Sequence, residues 1–190
     1  MRAFTLGLTL LSATCLAQAD ELSEAEALWQ QLEQLPTPKQ CRFQQTKHLS
    51  SLSFPLITDG VVQRQDDSSI VWHTQFPIEE KLKLDQNAVF MDVDGEWQKQ
   101  NTPASVATLL SALLANSAEL YQAQFNLLSS SVDEASASYS MSLQAKQAPL
   151  SEALSSVSVS FSQQLDEIVI EDSLGDTTAI TFSDCEQGEH

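Results

Sequence analysis

His48, His73 and His190, the neighbouring carboxylates Asp66-Asp67 and Glu79-Glu80, the acidic run from Asp92 to Glu96 and three cysteines are the side chains of this sequence best suited to chemistry. The histidines are scattered and lack the short spacings of a metal site. Adjacent residues on a strand point to opposite faces, so neither carboxylate pair can share a proton as an acid–base couple would. Asp92-Val93-Asp94-Gly95-Glu96 resembles part of a calcium loop, but Phe90 and Asn101 stand where that loop needs acidic ligands. A hairpin turn at Asp94-Gly95 is the simpler reading. The chain contains no Gly-x-Ser-x-Gly, Ser-x-x-Lys, His-Glu-x-x-His or glycine-rich phosphate loop. The expectation is therefore a non-enzyme without catalytic residues, metal or cofactor.

The cysteines are read together with the N-terminus. Met1-Arg2 supplies a positive start, Ala3 to Leu16 is uncharged and mostly apolar, and Ala17-Gln18-Ala19 has the small-x-small form of a cleavage site. This predicts a leader over residues 1–19, cut after Ala19, and one exported domain over 20–190. Cys15 suggests lipid attachment instead, but Ser12-Ala13-Thr14 suits that processing poorly. Removing the leader leaves Cys41 and Cys185, an even pair in an oxidising compartment. Paired, they would staple the first strand to the last and contribute up to about 5 kcal/mol. Two unrelated buried thiols are the other reading.

Composition narrows the partners. The 190 residues carry 26 Asp and Glu against 9 Lys and Arg, a formal charge of −17. Nucleic acid is disfavoured, because phosphate binding needs clustered cations, and so are anionic membrane surfaces. Beyond the leader no run approaches the roughly 18 apolar residues that span a bilayer.

The elements follow from periodicity. Ser23 and Glu26 form a capping box, and Leu22, Ala25, Leu28, Trp29, Leu32 and Leu35 recur at helical spacing until Pro36 and Pro38. From Cys41 the period becomes two. Strands are predicted there and over Leu56–Gln65, Ser69–Gln75, Glu80–Asp85, Ala88–Val93 and Glu96–Lys99, punctuated by Pro55, Asp59-Gly60, Asp66-Asp67 and Pro77. Thr102-Pro103 then starts a helix with Val106, Leu109, Leu110, Leu113 and Leu114 on one stripe, and Asn116 ends it. It is uncharged throughout, so it lies deep in the core or covers something apolar. Strands resume after about residue 120. Ser136–Leu143 and Ser156–Ser162 alternate serine with apolar residues; Gln164–Glu171 and Thr177–Asp184 follow, with a short helix near Pro149–Ser155. The fold class is α+β, mainly β: a single curved antiparallel sheet with one polar face and with helices covering its apolar face.

Several stretches resemble the outer-membrane lipoprotein carrier family, the LolA-like proteins. They are Phe43-Gln44-Gln45-Thr46-Lys47, Pro55-Leu56 before Gly60, Ile70-Val71-Trp72 and Pro77, and later Leu143, Pro149, Leu154, Phe161, Ile168 to Ile170, Gly175-Asp176 and Thr178-Ala179-Ile180. In order and spacing the likeness runs from about Cys41 to Phe182, closer to a related branch than to the principal carrier. It implies an incomplete barrel closed by a helical lid, whose interior receives the acyl chains of lipoproteins or other lipid cargo in the periplasm. The family's lid is held by an arginine near the turn before the tryptophan strand; here that turn reads Arg64 to Ser69, with the arginine earlier. On this reading Trp72, Leu82, Leu84, Phe90 and Met91 contribute the sheet side of a lipid site, and Val106, Leu109, Leu110, Leu113 and Leu114 the lid. Transient membrane-associated donor and acceptor proteins are expected as partners of a monomer. The alternative is a periplasmic accessory module that binds protein and has a filled core without lipid cargo.

Overall fold

The computed structural model describes residues 25–67, 69–85, 88–101, 114 and 116–187. A helix, α1, occupies residues 25–33. Six strands follow: β1 (Pro38–His48), β2 (Leu56–Arg64), β3 (Ile70–Phe76), β4 (Glu80–Asp85), β5 (Ala88–Val93) and β6 (Glu96–Lys99). A helix α2 (Ala118–Gln124) runs directly into β7 (Phe125–Asp133), then β8 (Ser138–Ala145), a single turn α3 (Leu150–Ala153), β9 (Leu154–Phe161), β10 (Leu165–Asp172) and β11 (Thr177–Gln187).

All eleven strands belong to one sheet, in the order β6-β5-β4-β3-β2-β1-β11-β10-β9-β8-β7. Every pairing is antiparallel, so the sheet is two meanders joined where the first strand meets the last. The sheet does not close. Its edges, β6 and β7, are consecutive in the chain, so the connection between them must carry the backbone from one edge of the open sheet to the other.

Register assigns the faces. One row of cross-strand partners reads Cys41, Val62, Trp72, Leu82 and Met91, and the next reads Arg64, Ile70, Leu84 and Val89. In the other meander Ile180, Ile168, Val159 and Met141 form a matching row. The predicted serine alternation is realised: Met141, Leu143, Val157, Val159 and Phe161 are buried, while Ser158 and Ser160 lie opposite Ser142 and Ser140 on the other face. The apolar face packs with Leu28, Trp29 and Leu32 of α1 and Tyr121 of α2 into one core. Trp29 and Tyr121 are themselves tilted neighbours, with ring centroids 6.1 Å apart.

Two local predictions need correction, and a third holds. Asp59-Gly60 does not break the chain; it lies inside β2 at a register irregularity. A Cβ at Gly60 would stand 2.0 Å from the His73 carbonyl oxygen, so glycine is required by the close approach of β3. Helix α2 and strand β7 were not separately resolved by pattern. Seven residues are too few to establish a helical period, and a register shift between Leu127 and Ser129 interrupts the alternation of β7. The two-residue hairpin at Asp94-Gly95 is as expected: both residues have positive φ, 55° and 87°, and Val93 pairs with Glu96.

Candidate functional site

The candidate site is the apolar face of the β1–β5 half of the sheet. Its centre is aromatic: Phe43 and Trp72, both buried, pack with ring centroids 4.2 Å apart. Leu84 is 1% exposed, and Leu82 and Met91, opposite one another, are half-buried beside it. Trp72, Leu82, Leu84 and Met91 are thus brought to a common face. Phe90 is not. It pairs with Lys83 and Lys99, and the period-two alternation of β5 turns it to the opposite face from Met91. Of the residues assigned to the lid, Val106, Leu109, Leu110 and Leu113 lie outside the described residues. Leu114 is described, as a helical and half-buried residue. Asn116, two positions on, has φ of 50°, the left-handed conformation typical just past a helix end.

A small cavity of about 40 Å³ lies between Leu114 and the sheet, lined by Cys41, Val62, Arg64, Ile70, Phe182 and Cys185 among others. Cys41 and Cys185 are bonded, S–S 2.06 Å, so the cross-link forms part of this wall and joins β1 to β11. Among the described residues Arg64 is the one cation lining it. It stands last on β2, in the buried row with Ile70, and its Nη2 donates to the Leu114 carbonyl at 3.0 Å. Arg64 precedes the turn, yet its long side chain reaches the segment that leads from β6 to β7. Burial lowers the pKa of its guanidinium, which nevertheless remains cationic in any ordinary buffer.

Asn116 completes the polar part of this wall. Its amide donates to the Pro36 carbonyl at 3.3 Å and so ties the same segment to the residues leading into β1. Among the described residues two buried polar atoms, Arg64 Nε and Asn116 Oδ1, have no hydrogen-bond partner. Each such atom costs about 1–3 kcal/mol. Sequence reasoning did not single out Asn116 beyond a helix stop, because a side chain's tertiary partner leaves no local signature. Among the described residues no group of three or more His, Cys, Asp or Glu is placed to hold a metal. Among them, too, no helix is long and apolar enough to cross a membrane.

An open antiparallel sheet with one apolar face, a disulfide joining its first and last strands, and an arginine fastening the connection between its edges define the architecture. Residues 38–190 match the family model described as "Outer membrane lipoprotein carrier protein LolA", and the chain belongs to that family. No curated protein sequence matches it significantly. Its fold is similar to that of the LolA superfamily protein NE2245 from Nitrosomonas europaea, at 8% identity and a TM-score of 0.49, over 87% of this chain and 94% of that one. It is also similar to the lipoprotein LppX of Mycobacterium tuberculosis, at 10% identity and a TM-score of 0.46, over 90% of this chain and 98% of that one. A third likeness is to the complex of MucA and MucB from Pseudomonas aeruginosa, at 5% identity and a TM-score of 0.40; there the match covers 89% of this chain and 58% of the other.

Proposed function

We propose that this protein is a periplasmic, non-enzymatic carrier that shelters acyl chains of lipoproteins or related lipid cargo against the apolar face of its open sheet. The segment between β6 and β7 acts as the cover. The observation that carries this reading is the Arg64–Leu114 hydrogen bond: it fastens the connection between the two edges of the open sheet to the end of β2. Family membership supports the class of cargo. Moving an acyl chain through water is otherwise costly, at about 0.8 kcal/mol per exposed CH₂.

Capacity sets the mechanism. A cavity of about 40 Å³ is of the order of a few water molecules, not an acyl chain. Cargo therefore enters by displacing the cover, exchanging the contacts of Leu114 for those of the chain. Such an exchange requires only a small net free energy, because apolar surface is covered before and after. The unpaired Arg64 Nε and Asn116 Oδ1 lower the stability of the closed arrangement and keep the exchange reversible. Export through the leader predicted over 1–19 would deliver the chain to the periplasm, where membrane-associated proteins would load and unload it as a monomer.

The small cavity also favours a second reading, a filled-core module that binds protein rather than lipid. Native mass spectrometry of the protein purified from the periplasm without detergent separates the two. A carrier retains an acylated species that is lost in Leu110→Glu, and takes up a fluorescent fatty-acyl probe. A bare mass with no probe uptake overturns the carrier reading in favour of the filled core.

A further inference from the structure

Eleven large apolar side chains are exposed among the described residues, and seven of them gather at one end of the sheet. The strand order β4-β3-β2-β1-β11-β10 sets three connections side by side at that end. The β1–β2 loop raises Leu52 and Phe54, the latter 62% exposed, and enters β2 through the exposed Leu56 and Ile57. The β3–β4 turn presents Phe76 and Ile78, 57% and 77% exposed, and the β10–β11 turn presents Leu174, 80% exposed. The Ser50 backbone N–H donates to the Asp176 carboxylate at 2.8 Å, tying the first of these connections to the third. At the other end the described turn residues Gln65 to Asp67, Glu134 to Ala137 and Ser162 to Gln164 include no large apolar side chain, and of the described strand ends beside them only β7 exposes one, Val132. The asymmetry is between the two rims of one sheet.

Soluble proteins scatter exposed apolar residues singly, and a concentration of them marks a contact surface. The shape of this one argues for a deformable partner. The seven side chains sit on or beside the tips of turns, and none lines the Arg64 cavity or the open grooves elsewhere on the molecule. A rigid protein partner would need matching hollows for several separate projections. The interfacial region of a bilayer accommodates projections of any arrangement, and apolar tips are what it stabilises. Charge selects the lipid. Glu79, Glu80, Asp172 and Asp176 outnumber Lys47 and Lys81 beside these tips, on a chain of formal charge −17, so anionic headgroups are disfavoured.

We propose that this rim is a membrane-docking surface whose projecting side chains, Phe54, Ile78 and Leu174 foremost, enter the interface of a zwitterionic phospholipid bilayer. Docking itself does not depend on the carrier reading; its purpose, holding the protein at a membrane while cargo is exchanged, does.

The test is co-flotation of the exported, leader-processed protein with phosphatidylcholine vesicles, alongside vesicles containing phosphatidylglycerol. The wild type is expected to float with the neutral vesicles and less with the anionic ones. Phe54→Asp/Ile78→Asp/Leu174→Asp should lower the partition coefficient roughly tenfold or more, since three buried apolar side chains are replaced by charges. Leu128→Asp, at an exposed apolar position away from the rim, should float as the wild type does. Circular dichroism confirms that each variant is folded. A wild type that stays with the soluble fraction, a triple variant that floats unchanged, or an equal loss in Leu128→Asp overturns the proposal. Probe uptake is measured on the same samples: vesicle binding without it leaves the docking rim standing and removes the carrier reading.

Discussion

Asp67 shows how a residue in an exposed turn is put to structural use. Its carboxylate accepts from the Ser69 hydroxyl, from the Ser69 backbone N–H at 3.0 Å and from Lys83 Nζ at 2.9 Å, closing the β2–β3 turn and linking it to β4. These donors, the serine hydroxyl first, hold the carboxyl well below the usual carboxylate range. A folded-state pKa below the unfolded one means stabilisation that is complete at neutral pH and disappears as the pH falls from about 4 through the depressed value. Asp67→Asn should therefore have a lower urea midpoint than the wild type near pH 7, with the gap narrowing as the pH falls below about 4. A gap of the same size throughout would assign the effect to something other than ionisation. At this scale the sequence was legible for residue type and not for partnership. Asp66-Asp67 read as solvated neighbours, and the Ser69 and Lys83 contacts required β3 and β4 to be in place. Phe90 and Met91 make the same point: both are apolar and alternation puts them on opposite faces, but only the pairing of Met91 with Leu82 and of Phe90 with Lys83 decides which of the two joins the apolar face.

Elements were more readable than residues. β4, β5 and β6 occupy the predicted spans, and the other predicted strands shift by one to a few residues at their ends. Alternation over six to eight residues carries more information than any one side chain, because every second position votes for the same face. What failed was the irregular: Gly60 looked like punctuation and is a contact. Gly60→Ala would force the new methyl against the backbone of His73 rather than against a side chain that can move. It should destabilise the protein by about 2–4 kcal/mol, read as a lowered urea midpoint with an unchanged slope. An unaltered midpoint would mean that β3 can step away from β2 at no cost. The helix predicted from Thr102 to Asn116 lies mainly outside the described residues, and its helical Leu114 and left-handed Asn116 agree with the predicted ending.

For the whole molecule the decisive feature is that the strands most distant in the chain are neighbours. β1 pairs with both β2 and β11, and Cys41–Cys185 bridges residues 144 apart at that seam. Cys41→Ser/Cys185→Ser should lose up to about 5 kcal/mol of stability, since the bridge restricts the unfolded chain over a long loop. Reducing the wild type should reproduce the loss, and equal urea midpoints for the bridged and bridge-free proteins would show that the seam holds without it. The sequence by itself determined the number and kind of most elements, their apolar faces, the even cysteine pair and the likeness to a carrier family. Each of these is written in local spacing or composition, where a few neighbouring residues decide the outcome. Only the tertiary structure decided that β6 and β7 are the edges of the open sheet, that Arg64 reaches Leu114, and that seven apolar side chains share one rim. Those facts depend on contacts between residues tens of positions apart, and such contacts arise from how the elements pack rather than from any pattern along the chain.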